Sequence, residues 1–187
     1  REGGPSALAA AIIGKTPDYG IHKAENRQPK AVVRLEKQLQ SEVEFGALGT
    51  FLGKILEDRI PVIHSIRKAS KDNLKGLGAA LASTGMVNMF YYEDKDAKFD
   101  DVEKTSVETK DITQAIENLT TTSQEPDLVF VGCPHCSLNE IKQVAEFMRD
   151  GKVKNGIELW VCTSRYIREK ARKYVEKIEK CKGHVIT

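Results

Sequence analysis

Short apolar runs alternate along this chain with longer stretches in which apolar residues return every three or four positions. That pattern is a succession of strands and helices. Runs at Ala31–Glu36, Pro61–Ser65 and Met86–Tyr92 predict strands, with helices between them at about Glu42–Leu56 and Asp72–Ser83. A short helix is predicted earlier, over Ser6–Ile13, with Pro5 at its start and Gly14 just past its end. Thr16 to Pro29 hold two prolines, Gly20 and many polar groups, which predicts a loop. The charged, weakly apolar stretch 93–110 predicts a long hairpin or surface excursion. The rhythm then resumes: a helix near Ile112–Leu119, a loop at Thr120–Pro126 and a strand at Leu128–Val131. A helix at Leu138–Asp150, a strand at Ile157–Cys162, a helix at Arg165–Lys180 and a strand at Val185–Thr187 complete it.

Strand starts in each half recur roughly every 25 to 30 residues, the length of a βαβ unit. The expected class is therefore α/β, with a mostly parallel sheet built from two βαβαβ halves, in one sheet or in two lobes. The first half is expected at 1–110 and the second at 111–187. Both ends read as cut, since the chain opens Arg1-Glu2-Gly3-Gly4 and stops inside a strand at His184-Val185-Ile186-Thr187.

Charge changes this picture little. The 29 basic and 27 acidic residues are well mixed, so no basic face supports a nucleic-acid partner. The apolar runs are too short to span a bilayer, which predicts no membrane partner. Four cysteines, of which only Cys133 and Cys136 cluster, do not make a disulfide framework and fit a reducing cytoplasm.

The candidate chemistry centres on Gly132-Cys133-Pro134-His135-Cys136-Ser137. The apolar run before it ends at Gly132, and Ser137 with Glu140 has capping-box spacing for the next helix. This places Cys133, His135 and Cys136 in a short turn at the carboxyl end of a strand, the edge where open α/β sheets bind ligands. A helix N-terminus nearby also favours a thiolate. A Cys-x-x-Cys pair is open to several readings. A redox pair fits the location, but thioredoxin-like surroundings are missing. Zinc would need two further ligands at suitable spacing, which Cys162, Cys181 and the other histidines do not offer. An iron–sulfur cluster would need more thiolates than this turn supplies. The plain alternative is a pair of small residues closing a tight turn. Cys162 and Cys181 read as core or surface thiols, and His64 and His184 as strand residues.

Two further features are weak by themselves. The Gly3-Gly4-Pro5-Ser6 turn could offer helix N-terminal amides to an anion, although such turns are more often plain caps. His22-Lys23-Ala24-Glu25-Asn26-Arg27 packs acid, base and amide together, yet reads as a solvated loop.

These signals coincide in one family. Arg1-Glu2-Gly3-Gly4-Pro5-Ser6-Ala7-Leu8-Ala9-Ala10-Ala11, Gly14-Lys15-Thr16-Pro17, Tyr19-Gly20, His22 and Glu25-Asn26-Arg27 resemble the large subunit of aconitase X. Phe45-Gly46-Ala47-Leu48-Gly49, Leu74 to Gly85, and Gly132-Cys133-Pro134-His135 with Ser137-Leu138 follow in the same order. The resemblance spans essentially the whole chain, and its large subunit is about twice as long. It implies an aconitase-like, three-layer α/β/α fold and an iron–sulfur hydro-lyase, inactive as this piece alone. Cys133 would be one of three ligands of a [4Fe-4S] cluster, the other two lying outside this chain, with Cys136 a neighbour of the ligand. Arg1, Glu2, Gly3, Gly4, Ser6, His22, Asn26, Arg27 and His135 would bind a small anionic hydroxy acid. The catalytic base would be a serine on a small swivelling-domain subunit, to which nothing here corresponds. The substrate implied is (R)-5-phosphomevalonate, dehydrated to trans-anhydromevalonate 5-phosphate in an archaeal mevalonate pathway. Within the family, cis-3-hydroxy-L-proline is the alternative. From another class, a stand-alone redox or metal-binding module on the Cys133/Cys136 turn competes.

Overall fold

The computed structural model describes residues 3–92, 102–148 and 151–187. The backbone separates into two compact units, Arg1–Thr120 and Thr121–Thr187.

In the first unit, β1 (Ala31–Leu35), β2 (Pro61–His64), β3 (Tyr91–Tyr92) and β4 (Glu103–Val107) form one sheet, ordered β3-β2-β1-β4. Every pairing is parallel. Ala31, Val32, Val33, Val62 and Ile63 are all buried, the continuous apolar run expected of central parallel strands. Helix α1 (Gly4–Ile13) precedes the sheet and has no buried residue; α2 (Glu42–Leu56), α3 (Lys71–Thr84) and α4 (Thr109–Leu119) follow their strands.

Capping boxes start both α2 and α3. The Ser41 hydroxyl accepts the Glu44 N–H at 3.2 Å while the Glu44 carboxylate accepts the Ser41 N–H at 3.0 Å. Ser70 and Asn73 make the same exchange at 3.0 and 2.9 Å. These pairs satisfy amides that the first helical turn leaves without partners. The two helices then pack closely, because a Cβ on Gly49 would lie only 2.6 Å from the Ala80 Cβ. Leu48, Leu52, Ile63, Leu77 and Leu81 fill the core beneath, none with accessible surface above 0%.

Three expectations change here. The strand read at Met86–Tyr92 shrinks to Tyr91–Tyr92. Val87 bends back through a 2.6 Å bond from its N–H to the Gly85 carbonyl, and its apolar side chain is buried in the core rather than carried on a strand. Within the stretch read as an excursion, β4 pairs with β1 from Ala31↔Glu103 to Leu35↔Val107. Its polar composition misled because it is an edge strand, with only Val107 buried. The remainder of that excursion, 93–101, lies outside the described residues. Helix α4 packs on the first core through Ile112 and Ala115, so this unit runs past residue 110 to Thr120.

In the second unit, β5 (Leu128–Cys136), β6 (Glu158–Thr163) and β7 (Gly183–Ile186) form a parallel sheet in that order. Helix α5 (Leu138–Met148) carries Ile141, Val144, Ala145 and Met148 on one stripe, at the spacing that seats a helix on a core. The helix expected over Arg165–Lys180 is two, α6 (Arg165–Lys170) and α7 (Arg172–Lys180). They break at Ala171, whose backbone leaves helical geometry at φ −89°, ψ 9° while its side chain is fully buried. The α/β class therefore stands, with β1-α2-β2-α3-β3 and β5-α5-β6-α6-α7-β7 as its two alternating runs.

Candidate active site

The strand that carries the cysteine pair does not end at Gly132. It continues to Cys136 with a break in register: Val131 pairs with Val161, and the next pairing is Cys136 with Thr163. The chain thus takes five steps along β5 against two along β6, and the excess arches out of the ladder as a bulge. Cys133, Pro134 and His135 occupy the arch, with a cis peptide between Cys133 and Pro134. Cys133 and His135 are exposed.

Each foot of the arch is fixed. At the first, Gly132 adopts φ +127°, and a Cβ there would lie 2.9 Å from the Cys162 Cβ and overlap the Cys162 carbonyl oxygen. Only glycine meets both demands. At the second, Cys136 returns to the ladder, 3% exposed, and its carbonyl accepts the Thr163 hydroxyl at 2.6 Å. Immediately after, the Ser137 hydroxyl accepts the Glu140 N–H at 3.2 Å, and the Glu140 carboxylate accepts the Ser137 N–H at 2.7 Å. The capping box expected from Ser137 and Glu140 is present and starts α5.

The two clustered cysteines therefore differ. Cys133 projects on an exposed arch, whereas Cys136 is part of the core with Ile141 and Val161. The expected short turn holding both is corrected to a bulge holding Cys133 and His135 alone. Cys162 is half-buried in β6, and Cys181 is buried just after α7. None of the four is in a disulfide. Among the described residues, no three His, Cys, Asp or Glu side chains are grouped to hold a metal ion.

The remaining candidates lie in the first unit. Gly3 caps α1 in extended geometry and Pro5 stands in its first turn. Ser6 reaches the Gly3 carbonyl at 3.5 Å, a marginal bond. Arg1 and Glu2 lie outside the described residues. The loop after α1 is not irregular throughout: it contains two 3-10 turns, Gly20–His22 and Ala24–Arg27. Arg27 ties the turns together. Its Nε donates to the Ile21 carbonyl at 2.7 Å and its Nη2 to the His22 carbonyl at 2.9 Å. The Asn26 amide donates to the Gly20 carbonyl at 2.8 Å, and the Tyr91 hydroxyl donates to the Arg27 carbonyl at 3.1 Å. His22, Asn26 and Arg27 are thus brought together as one braced loop.

Thr163 was not among the residues singled out from the sequence. Strand periodicity does place it on the same face as buried Val161, where a hydroxyl needs a partner.

Comparison with known proteins agrees with this layout. Residues 29–123 match the family model described as aconitase X second domain, and residues 126–187 match aconitase X third domain. The chain belongs to the aconitase X family. This aconitase X chain is 44% identical to the phosphomevalonate dehydratase large subunit of Methanocaldococcus jannaschii, over 100% of its own length and 50% of that protein. It is 26% identical to the cis-3-hydroxy-L-proline dehydratase of Hypocrea jecorina, over 79% of its length and 28% of that protein. The crystal structure of Thermococcus kodakaraensis aconitase X in its holo form superposes with a TM-score of 0.86 at 35% identity, covering all of this chain and 50% of that one. The aconitase X chain spans about half the length of the curated relatives it matches.

Proposed function

We propose that this chain forms half of an aconitase X large subunit that dehydrates (R)-5-phosphomevalonate to trans-anhydromevalonate 5-phosphate in the cytoplasm. The observation that carries the reading is the arch, which lifts one free thiol, Cys133, out of the ladder while Cys136 stays in the core. A single exposed thiolate on a fixed backbone suits one corner of an iron–sulfur cluster, whose other ligands would come from the remainder of the large subunit. Once bound, the cluster supplies a Lewis-acidic iron to the departing hydroxyl.

The chain's own residues then bind and orient. Amides at the start of α1, near Gly3, Gly4 and Ser6, suit an anionic oxygen, and Arg1 and Glu2 precede them directly. Arg27 uses Nε and Nη2 on its own loop, and among the described residues Nη1 is left for a carboxylate or phosphate. His22 and Asn26 on the same loop, and His135 beside Cys133 in the second unit, are the further residues assigned to substrate binding in this reading. The proton leaving the neighbouring carbon goes to a serine base on the small subunit, the partner of this reading. Relatives named large subunits support such a partner.

The higher identity to the phosphomevalonate enzymes favours that substrate over cis-3-hydroxy-L-proline. The deciding experiment mixes the full-length large subunit, its small subunit and each substrate anaerobically. Loss of water from (R)-5-phosphomevalonate is expected; turnover of cis-3-hydroxy-L-proline alone would overturn the substrate assignment.

A further inference from the structure

We propose that Thr163 is a positioning residue for the Cys133 arch, an inference that rests on the reading of Cys133 as a cluster ligand. Among the described residues, Thr163 is the one polar side chain with 0% exposure. A buried hydroxyl without a partner is destabilising, so its bond identifies what it serves. That bond runs from Oγ1 to the Cys136 carbonyl, 2.6 Å away, on the residue where the arch rejoins the ladder.

The location matters because the bulge removes regular ladder bonds across Gly132 to His135. Nothing in β6 between Val161 and Thr163 pairs with those residues, so the far foot of the arch is set where Cys136 meets Thr163. The near foot is set differently, by the close fit of Gly132 on Cys162. With both feet fixed, Cys133 is held at a constant height above the sheet. Thr163 also precedes Ser164, whose hydroxyl caps α6 by accepting the Ile167 N–H at 3.3 Å. The strand end is thereby anchored on its other side, so the hydroxyl acts from a rigid mount. Valine would fill the same space but leave the Cys136 carbonyl without this donor.

The test uses the full-length large subunit with its small subunit. Hydrogen exchange of the segment 132–137 is followed in cluster-free protein, and iron release to a chelator is followed after anaerobic reconstitution. In Thr163→Val, exchange of that segment should accelerate, and iron should leave about 10-fold faster, the lower end of the affinity loss that follows removal of a partner orienting a ligand directly. Thr163→Ser, which keeps the hydroxyl, should restore both rates. Val161→Ala, a core change on the same face with no bond to the arch, should lower the melting temperature and leave both rates alone. If Thr163→Val does not fold, Thr163→Ala is judged by the same two rates. Wild-type exchange in the hydroxyl-free variant, or an equal effect from Val161→Ala, would overturn the proposal. Retention of iron by Cys133→Ser would instead remove the ligand reading, and the exchange rates would still decide whether Thr163 positions the arch.

Discussion

Gly132 and Cys162 lie backbone to backbone across β5 and β6, so close that a Cβ on Gly132 would stand 2.9 Å from the Cys162 amide nitrogen. The neighbour in the way is main chain inside a sheet, so it cannot swing aside as a flexible side chain would. This contact lets β5 leave its ladder one residue before Cys133.

Gly132→Ala should therefore destabilise the full-length protein by more than about 2 kcal/mol, combining overlap with an unfavourable φ. Gly156, at φ +86° with open space around its Cα, supplies the comparison. Its alanine variant should lose only about 1–2 kcal/mol, from backbone strain alone. Denaturant unfolding of both variants measures the difference, and equal losses would contradict the close-fit account.

Cys133→Ser in the full-length enzyme should abolish activity and lower iron content, whereas Cys162→Ser should retain most of both. The first thiol is exposed on the arch and the second is half-buried in a strand. Iron analysis with steady-state assays distinguishes them. Parallel loss in the two variants would refute the assignment of Cys133.

Arg27→Ala should raise KM about tenfold, with a smaller change in kcat, if its remaining donors meet substrate equally in ground and transition states. Arg27→Lys should not restore it, because an ammonium lacks the planar fork that reaches the Ile21 and His22 carbonyls together. A lowered melting temperature with unchanged KM would assign Arg27 wholly to bracing the loop.

Residues 1–187 alone should hold no intact cluster and show no dehydratase activity, since one matching thiolate does not retain a cuboidal cluster. Visible absorbance after anaerobic reconstitution with iron and sulfide gives the answer. A stable, stoichiometric cluster on this chain would defeat the single-ligand argument.

Much of the fold was legible because local chemistry and tertiary structure agree. Ser41, Ser70 and Ser137 each stand three residues before a side chain that returns the bond, and each begins a helix. Central strands such as Ala31-Val32-Val33 declare themselves by unbroken apolar character. What failed to show is what the partner strand decides. β4 is written in Glu, Lys, Thr and Ser because its outer edge faces solvent, and no local pattern reveals that β1 is waiting for it. The bulge was hidden for the same reason, because a register shift is a property of two strands. Cys133 could be singled out from the sequence, but its separation from Cys136 could not. Arg27 could be singled out from the sequence, while its bonds to two carbonyls of its own loop became visible only in three dimensions.

The pairing of β1 also shapes how the first unit assembles. Ala31 meets Pro61 on one side and Glu103 on the other, and the second contact closes a loop more than twice as long. Longer closures are entropically costlier and slow, so β2 should dock on β1 before β4 does. Until β4 arrives, the Ala-Val-Val core of the sheet is an open edge, a template for strands of other molecules. Aggregation during refolding should then depend on how soon β4 and α4 are available, which makes the hydrophilic edge strand the guardian of the most apolar one.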